Sequence, residues 1–414
     1  MKSITLTLAL CVAASLSAAS IVPEGGQHYR KVGDKVVFNI QLDPGRNRTE
    51  FRATVYGNKD ILGVRDLVSD DSGKAQLELP TLRPGFLYVR IQDEKVTAAA
   101  GVAVEPEKIT PSRPAPDDFD AYWDAVKAKI DRMPMTFDRE EISSKNKNFR
   151  AYKIRIDLGD RENLDAYGIL TVPADAAPGS LPARLVVHGA GTDTVSPIFR
   201  PGCMVFSLNP MPTENKGKSG EQIKTGRFRN YRWDNMLDRD KIFFNGMFQR
   251  VYRSLQFLKS LPEWNKKTLV ISGTSQGGGQ ALAGAGLDPD VTLCVAHVPA
   301  LCGHAGRNDG EESGWPFFYQ RKIFKDNPDR ALAATAYVDA VNFARRIKNA
   351  EVLFSTGFID RACPSATVYA AFNVIPSPNK RIIDSVTAMH SVPKTVRDEA
   401  ENVIAEHIAK QVKP

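Results

Sequence analysis

The chain has 414 residues, of which 42% are hydrophobic and 25% charged, which is typical of a soluble globular protein with room for two or three domains. Its formal net charge is +7, but Lys and Arg are scattered and no basic tract is interleaved with aromatic residues, so nucleic-acid binding is not expected. Apart from Cys11, the cysteines are Cys203, Cys294, Cys302 and Cys363. They follow no metal-binding spacing, and we expect neither a metal nor another cofactor.

Residues 1–19 have the pattern of a secretory signal peptide. Lys2 supplies the positive start, Ile4 to Leu16 an apolar stretch, and Ser17 to Ala19 the small residues before a cleavage site. A buried N-terminal helix is the alternative, but this stretch has no polar face. The stretch is too short to span a bilayer, and no other run approaches the roughly 20 apolar residues that a membrane helix needs. We therefore expect a secreted or periplasmic chain without a membrane span.

Residues 20–107 predict a small antiparallel β-sandwich. Turn signals such as Asp43-Pro44-Gly45 and Arg83-Pro84-Gly85 interrupt short runs of alternating polarity. The candidate strands are KVVFNIQL, FRATVYG, KAQLELP, FLYVRIQ and AAAGVAVE. We interpret this region as an immunoglobulin-like accessory domain that packs on its neighbour. A carbohydrate-binding module is the alternative.

Residues 108–414 predict a doubly wound α/β domain with a mostly parallel sheet. It begins with a proline-rich joint, KITPSRPAP, followed by a helix in DDFDAYWDAVKAKI. The strand candidates are NLDAYGILTVP, ARLVVHG, CMVFSLN, TLVISG, TLCVAHV, AEVLFSTG and KRIIDSV. The helix candidates among and after them are Met247–Ser260, Ala336–Lys348, Ser365–Asn373 and Lys394–Lys413. Near-continuous apolar strands that alternate with helices indicate a sheet covered on both faces.

The segment ISGTSQGGGQALAG contains a candidate nucleophile, Ser275. Gly273 and Gly277 flank it in the pattern G-x-S-x-G, after a strand and before a helix rich in small residues. A tight strand-to-helix turn crowds the positions two before and two after the serine, so glycine is required there. The alternative is a structural glycine-rich loop. The strand before and the small residues after favour a nucleophile elbow.

A serine nucleophile needs a histidine base and an orienting acid, in the chain order Ser, Asp or Glu, His. Among the later histidines, His390 follows a strand and precedes the last helix, where the base is expected. His304 comes too soon after Ser275, and His407 lies in the last helix, where we expect it to be solvated. Asp360 follows the strand AEVLFSTG and is the predicted acid. Asp339 and Asp384 fit less well, because we expect them within a helix and a strand.

The N–H groups of Ala190 and Gln276 are the predicted oxyanion donors. Gln276 follows the nucleophile at the start of a helix, and Ala190 belongs to the loop HGAG after the strand ARLVVHG. His188 precedes the nucleophile in the chain, so we interpret it as an orienting or packing residue. Together with His304 and Trp315 it is a candidate for the substrate pocket.

These segments resemble carbohydrate esterase family seven, the acetyl xylan esterases and cephalosporin C deacetylases. The resemblance runs from about Ala115 to Val392 and includes PDDFDAYWDAV, HGAG, SLPEW, ISGTSQGGGQALAGAGLD, VPALC and YVDAVNFARRIKNAEVLFSTGFIDRACPSATVYAAFN. It implies an α/β-hydrolase fold without a metal, a triad at Ser275, Asp360 and His390, and oxyanion amides at Ala190 and Gln276. It also implies a homo-oligomer, since the family assembles into rings.

The chain departs from the family at two places that bear on substrate. Ala190 stands where the family usually has a tyrosine, which predicts a more open pocket, and the N-terminal β domain is an addition. We therefore predict a secreted serine esterase that removes acetyl or other small acyl groups from carbohydrates such as xylan, through an acyl-enzyme. The alternatives are an α/β-hydrolase for another carboxylic ester or amide, and a catalytically silent carbohydrate-binding protein.

Overall fold

A computed structural model of the chain describes residues 19–92, 97–217 and 220–412. The interpretation of residues 1–19 as a signal peptide therefore lies, except for Ala19, outside the described residues. No helix in the described ranges is long and apolar enough to cross a membrane.

The N-terminal part of the chain is a sandwich of two sheets. Its strands are β1 Ser20–Pro23, β2 Tyr29–Arg30, β3 Lys35–Gln41, β4 Glu50–Tyr56, β5 Gly63–Val68, β6 Lys74–Pro80, β7 Gly85–Gln92 and β8 Thr97–Val104. One sheet has the order β1-β3-β6 and the other β2-β8-β7-β4-β5. Neighbours pair antiparallel, except for the short parallel pair of β2 with β8. Alternate residues of β3 and β4 are buried between the sheets, as period-two patterning requires.

The rest of the described chain is an α/β unit around a nine-stranded sheet. Its helices are α1 Phe119–Asp131, α2 Glu221–Thr225, α3 Phe243–Ser260, α4 Gln276–Leu287, α5 Lys322–Asp326, α6 Pro328–Thr335, α7 Ala340–Ala344, α8 Ser365–Asn373 and α9 Lys394–Val412. Its strands are β9 Phe137–Ile142, β10 Phe149–Ile156, β11 Ala166–Pro173, β12 Leu181–Val187, β13 Met204–Leu208, β14 Trp264–Thr274, β15 Leu293–His297, β16 Glu351–Gly357 and β17 Lys380–Ser385.

The order of this sheet is β17-β16-β15-β14-β12-β13-β11-β10-β9. The strands from β17 to β13 in this order pair in parallel, and β11, β10 and β9 extend the sheet antiparallel. Strand β15 shows why its sequence is apolar throughout. Leu293 and Val295 pack against α9 on one face, while Cys294 and Ala296 join the core on the other. The predicted fold class, a mostly parallel α/β sheet preceded by a small β-sandwich, is confirmed.

Some elements differ from the prediction. Strands β1, β2, β5, β9 and β10 were not predicted, and both β5 and β9 are edge strands of mixed or polar sequence. The predicted helix 336–348 is instead a short 3₁₀ turn followed by α7. Asp339 separates the two because its carboxylate accepts the N–H of Val341 and so starts a new helix.

His407 is buried rather than solvated, contrary to the prediction. Only 5% of it is exposed, and its ring nitrogens lie 2.9 Å from Glu351 Oε2 and from Thr292 Oγ1. The last helix therefore presents a polar side chain to the sheet, and the hydrogen bonds compensate for its burial.

The sandwich packs on the α/β unit through a small aromatic cluster. Phe86 of β7 contacts the rings of Phe358 and Tyr369 edge-on or tilted, with centroids 5.0 and 5.5 Å apart. A Cβ placed on Gly101 would lie 2.5 Å from the carbonyl oxygen of Phe358, so only glycine allows this approach. The cluster holds the sandwich against the loop that follows β16.

The last helix is fastened to the sheet by a partly buried ion pair. Nη1 and Nη2 of Arg184, a buried residue of β12, donate to the two carboxylate oxygens of Glu401 at 2.9 Å, while Nε donates to Ser272 Oγ. Burial alone would raise the pKa of Glu401, but the hydrogen bonds and charges of Arg184 and Arg200 outweigh it and lower the pKa to about 2. The carboxylate therefore favours the folded state at neutral pH.

We expect Glu401→Gln to lower the free energy of unfolding at pH 7 by about 1–2 kcal/mol, allowing for the partial exposure of this carboxylate. Because the pKa of Glu401 is lower in the folded state, the stability it adds is present above the unfolded value and is lost as pH falls. The difference between wild type and variant is expected to shrink from about pH 4.5 to about pH 2 in urea unfolding.

Glu399→Gln is the matched control, because Glu399 lies on the same helix as Glu401 and pairs with the exposed Arg381 of β17. We expect it to cost less than about 1 kcal/mol. A Glu401→Gln penalty that is independent of pH would contradict the prediction.

Candidate active site

Ser275 occupies a strained turn between β14 and α4. Its backbone has φ 60° and ψ −123°, which a non-glycine residue adopts only under constraint. Hydrogen bonds supply the constraint. The N–H of Ser275 donates to His297 O at 2.9 Å, and its carbonyl accepts from Gly279 N and Ala300 N. The turn therefore holds the serine at the carboxyl edge of the sheet, where α/β folds bind ligands.

The glycines around Ser275 lie where a side chain has no room. A Cβ on Gly277 would lie 2.5 Å from the carbonyl oxygen of Val187, and one on Gly273 would lie 2.8 Å from Cγ2 of the same valine. Further along the helix, a Cβ on Gly279 would lie 2.5 Å from Ala300 O. The start of α4 is thus in contact with the backbone of β12 and of the loop after β15.

Ser275, His390 and Asp360 form a continuous hydrogen-bonded chain. Oγ of Ser275 lies 2.9 Å from Nε2 of His390, and Nδ1 of His390 lies 2.8 Å from Oδ2 of Asp360. Such a chain can move a proton from the hydroxyl to the imidazole while the carboxylate stabilises the imidazolium.

The loops after β16 and β17 hold the acid and the base. Oδ1 of Asp360 accepts the N–H groups of Ala362 and Cys363 at 2.8 and 2.9 Å, which leaves Oδ2 for His390. Asp360 is only 4% exposed, whereas about a third of the His390 side chain is open to solvent. The acid is therefore fixed inside the protein, and the base is accessible to a substrate.

Two backbone segments meet beside Ser275 as possible oxyanion donors. Gln276 is the first residue of α4, so its N–H belongs to the unpaired first turn, where the helix dipole favours negative charge. Ala190 is exposed in the loop after β12, and a Cβ on the preceding Gly189 would lie 3.9 Å from Ser275 Cβ. The loop and the helix thus border the same space above the serine.

The buried side chain of Tyr231 lies beside both of these segments. The sequence analysis did not predict this residue as part of the site. Its hydroxyl donates to Oε1 of Gln276 at 2.7 Å, and the backbone of Gly191 lies close enough to lower its pKa slightly. The ring is 2% exposed, and burial raises the pKa of Tyr231, so the hydroxyl stays protonated and donates to Gln276. Residues 213–240 are predominantly polar in sequence, and only the aromatic residues Phe228, Tyr231 and Trp233 indicate a buried contact there.

Cys363 is a second residue near the serine that the sequence did not single out for the site. Its thiol is buried within hydrogen-bonding range of Ser275, and burial holds the pKa of Cys363 well above its usual value. Ligand atoms of Cys363, Asp360 and His390 lie within 4.8 Å of one another, a grouping that could hold a metal ion. Nδ1 of His390 and Oδ2 of Asp360 in this grouping are already hydrogen-bonded to each other, so we interpret it as part of the hydrogen-bonded triad.

The three candidate pocket residues have different surroundings. The main-chain N–H of Trp315 donates to Ala362 O at 2.9 Å, which puts it beside the acid loop. His188 lies with Nε2 2.8 Å from Ser207 Oγ, and burial lowers the pKa of His188 to about 4, so its ring is neutral.

His304 is buried and lies apart from the triad. It is buried against Phe318 and Thr335, and it lines a cavity of about 400 Å³ between the proline-rich joint and α6. None of the residues that line this cavity belongs to the triad. The structure therefore does not bring His304 together with the triad, and its role as a pocket residue stays a prediction.

A sequence model described as acetyl xylan esterase (AXE1) matches residues 105–404 of this chain. The chain belongs to the acetyl xylan esterase family. The match begins directly after β8, the last strand of the sandwich. Among curated proteins, the acetyl esterase Axe7A of Xylanibacter ruminicola is 32% identical over 340 residues, which cover 78% of this chain and 75% of Axe7A.

Solved structures of family members share the fold. The acetyl xylan esterase from Paenibacillus sp. R4 aligns with a TM-score of 0.63 and 23% identity, over 73% of this chain and 98% of its own. Acetyl xylan esterase 1 from Thermoanaerobacterium sp. JW/SL YS485 aligns with a TM-score of 0.61 and 22% identity, over the same shares. At this level of sequence identity, the structural similarity establishes the α/β-hydrolase fold. The chemistry has to be argued from the residues of the site.

We expect Tyr231→Phe to lower kcat for ester hydrolysis about tenfold with little change in KM, because it leaves Gln276 Oε1 without its hydrogen-bond donor. The loss should fall on kcat because the two donor segments would be held less well where the oxyanion develops. Steady-state kinetics on a soluble acetyl ester measure both parameters.

Tyr252→Phe is the control, since it also removes a tyrosine hydroxyl from a hydrogen bond, to Asp131, between α3 and α1. It should leave kcat unchanged. Equal kinetic effects of the two substitutions would show that Tyr231 acts only through general stability.

Proposed function

We propose that this protein is an exported serine esterase that removes acetyl groups from carbohydrates such as acetylated xylan. The single observation that carries the proposal is the hydrogen-bonded chain Ser275–His390–Asp360 on a strained turn, in a member of the acetyl xylan esterase family. The same chain argues against a silent carbohydrate-binding protein, for which no such alignment is needed.

In the acylation step, His390 takes the proton of the Ser275 hydroxyl as the oxygen attacks the ester carbonyl. Asp360 stabilises the resulting imidazolium through Nδ1. The negative charge that develops on the carbonyl oxygen is received by the N–H groups of Gln276 and Ala190. The C–O bond to the sugar then breaks, His390 returns the proton to the leaving sugar oxygen, and the acetyl group stays on Ser275.

In the deacylation step, water takes the place of the sugar. His390 removes a proton from the water, the hydroxide equivalent attacks the acetyl-serine carbonyl, and the same two N–H groups receive the charge. The bond to Ser275 Oγ breaks, His390 returns the proton to that oxygen, and acetic acid leaves. Each step needs only the groups of this chain and water, so no cofactor is part of the proposal.

The acyl preference depends on the space above Ala190. Its exposed methyl group leaves the loop after β12 open where the family usually has a tyrosine ring. This observation favours a second candidate, hydrolysis of esters with longer acyl chains. Rates on p-nitrophenyl acetate, butyrate and octanoate distinguish the two, because a closed acetyl pocket predicts a steep decline with chain length.

We expect purified protein to release acetate from acetylated xylo-oligosaccharides and from p-nitrophenyl acetate, and Ser275→Ala to lower kcat by at least about 10⁴-fold. The substitution removes the nucleophile and leaves the fold intact, which circular dichroism checks. Ser180→Ala, in the exposed turn before β12, is the control and should retain full activity. No acetate release by the wild type, or a Ser275→Ala variant as active as the wild type, would overturn the proposed function.

Export follows from the N-terminal pattern. With residues 1–19 as a signal peptide, the mature chain begins at Ser20, the first residue of β1. We expect mass spectrometry of the protein collected outside the cytoplasm to give Ser20 as the N-terminal residue. Recovery of the uncleaved chain from the cytoplasm alone would contradict this prediction.

A further inference from the structure

The sandwich contributes an aromatic stack that ends on an arginine next to the catalytic acid. The rings of Tyr56 and Tyr88 are stacked, with centroids 4.9 Å apart and planes at 19°. Cζ of Arg361 lies 4.3 Å from the centroid of the Tyr56 ring. Tyr88 is buried, Tyr56 half-buried and Arg361 exposed. Both tyrosines lie on the face of their strands opposite the apolar core between the two sheets, so the stack runs from the outer face of the sandwich to the surface.

The arginine in this stack is fixed relative to the triad. Arg361 directly follows Asp360, inside the turn closed by the bond from Ala362 N to Asp360 Oδ1. Burial raises the pKa of Tyr88, the positive charge of Arg361 opposes that rise, and the carboxylate of Asp360 adds to it. Both charged groups therefore lie within electrostatic range of the buried tyrosine, on the side where the sandwich meets the acid loop.

Arg361 has no carboxylate partner in residues 19–92, 97–217 and 220–412, in contrast to two other arginines near this interface. Arg83 pairs with Asp60 and Glu311, and Arg113 pairs with Asp309. An arginine that lies flat on an aromatic ring keeps the N–H donors at its edge free for a carboxylate. The stack thus presents an ordered, unpaired cation beside the active site.

We infer that Arg361, supported by Tyr56 and Tyr88, binds a carboxylate on the saccharide, so that the preferred substrates are acetylated oligosaccharides that carry a uronic acid. The inference rests on the proposed esterase function and names the substrate class for the same site. A planar guanidinium fits a carboxylate through two parallel hydrogen bonds, which a neutral sugar cannot supply. The sandwich then takes part in substrate selection without contributing to the bond-breaking steps.

The test compares acetylated xylo-oligosaccharides that carry glucuronic acid with the same compounds after reduction of the carboxylate to an alcohol. For the wild type we expect kcat/KM to be about tenfold higher on the acidic substrate, as a charge-assisted hydrogen bond predicts. We expect Arg361→Gln to bring this ratio close to one. Added NaCl should lower the wild-type ratio, because the site is exposed and its charge is screened.

Two variants of Tyr56 test whether the aromatic ring beneath Arg361 is needed in addition to the charge of the guanidinium. Tyr56→Ala removes the ring beneath the guanidinium and is expected to lower the ratio, whereas Tyr56→Phe keeps the ring and should restore it. Arg139→Gln is the matched control, since Arg139 is also an exposed arginine over a tyrosine ring, Tyr152, but on β9 at the opposite edge of the sheet from β16. We expect it to keep the wild-type ratio.

The outcomes distinguish this inference from the proposed function. A wild-type ratio near one, or an Arg361→Gln variant with the wild-type ratio, overturns the carboxylate site even when acetate is released normally. Equal loss of the ratio in Arg139→Gln also overturns it, because the effect would then be one of overall charge. Absence of hydrolysis on both saccharides and on p-nitrophenyl acetate overturns the proposed function and this inference together.

Discussion

The site depends on how closely the first turn of α4 approaches the strand beside it. Gly277 contacts the backbone of Val187 so closely that no side chain fits between them. This contact makes it possible for one residue, Ser275, to stand in a strained conformation at the edge of the sheet, because the hydrogen bonds on both sides of the turn hold it there. The position of the hydroxyl and the direction of the Gln276 N–H both follow from the same backbone geometry.

The other half of the site is built from loops, and each loop is fixed by backbone hydrogen bonds rather than by the triad itself. The acid loop closes on Asp360 through the N–H groups of Ala362 and Cys363. The N–H of Ile359 donates to Ala388 O, which ties this loop to the one that carries His390. Asp360 and His390 are therefore aligned in the structure without a ligand, as the proposed mechanism requires.

The sequence was informative where a function needs a local pattern. The elbow is a five-residue motif between a strand and a helix, and the fold class follows from apolar strands that alternate with helices. The sequence did not predict contacts between residues that are far apart in the chain. Tyr231 and Gln276 are 45 positions apart, and no periodicity connects them. For the same reason, the prediction that His407 is solvated considered only its own helix. Glu351 and Thr292, which lie far away in the chain, supply the hydrogen bonds that make its burial possible.

The sandwich buries apolar side chains of the loop that carries Asp360. The structural alignment with the Paenibacillus esterase covers 98% of that chain but only 73% of this one, so the shared fold accounts for only part of this protein. Phe358 and Tyr369 lie in the shared part but are buried by Phe86 and Ala103 of the sandwich. An aromatic residue two positions before Asp360 would be costly to expose to water. The sandwich therefore stabilises the segment that carries the acid, and its apolar packing and the tyrosine stack on Arg361 act on the same loop.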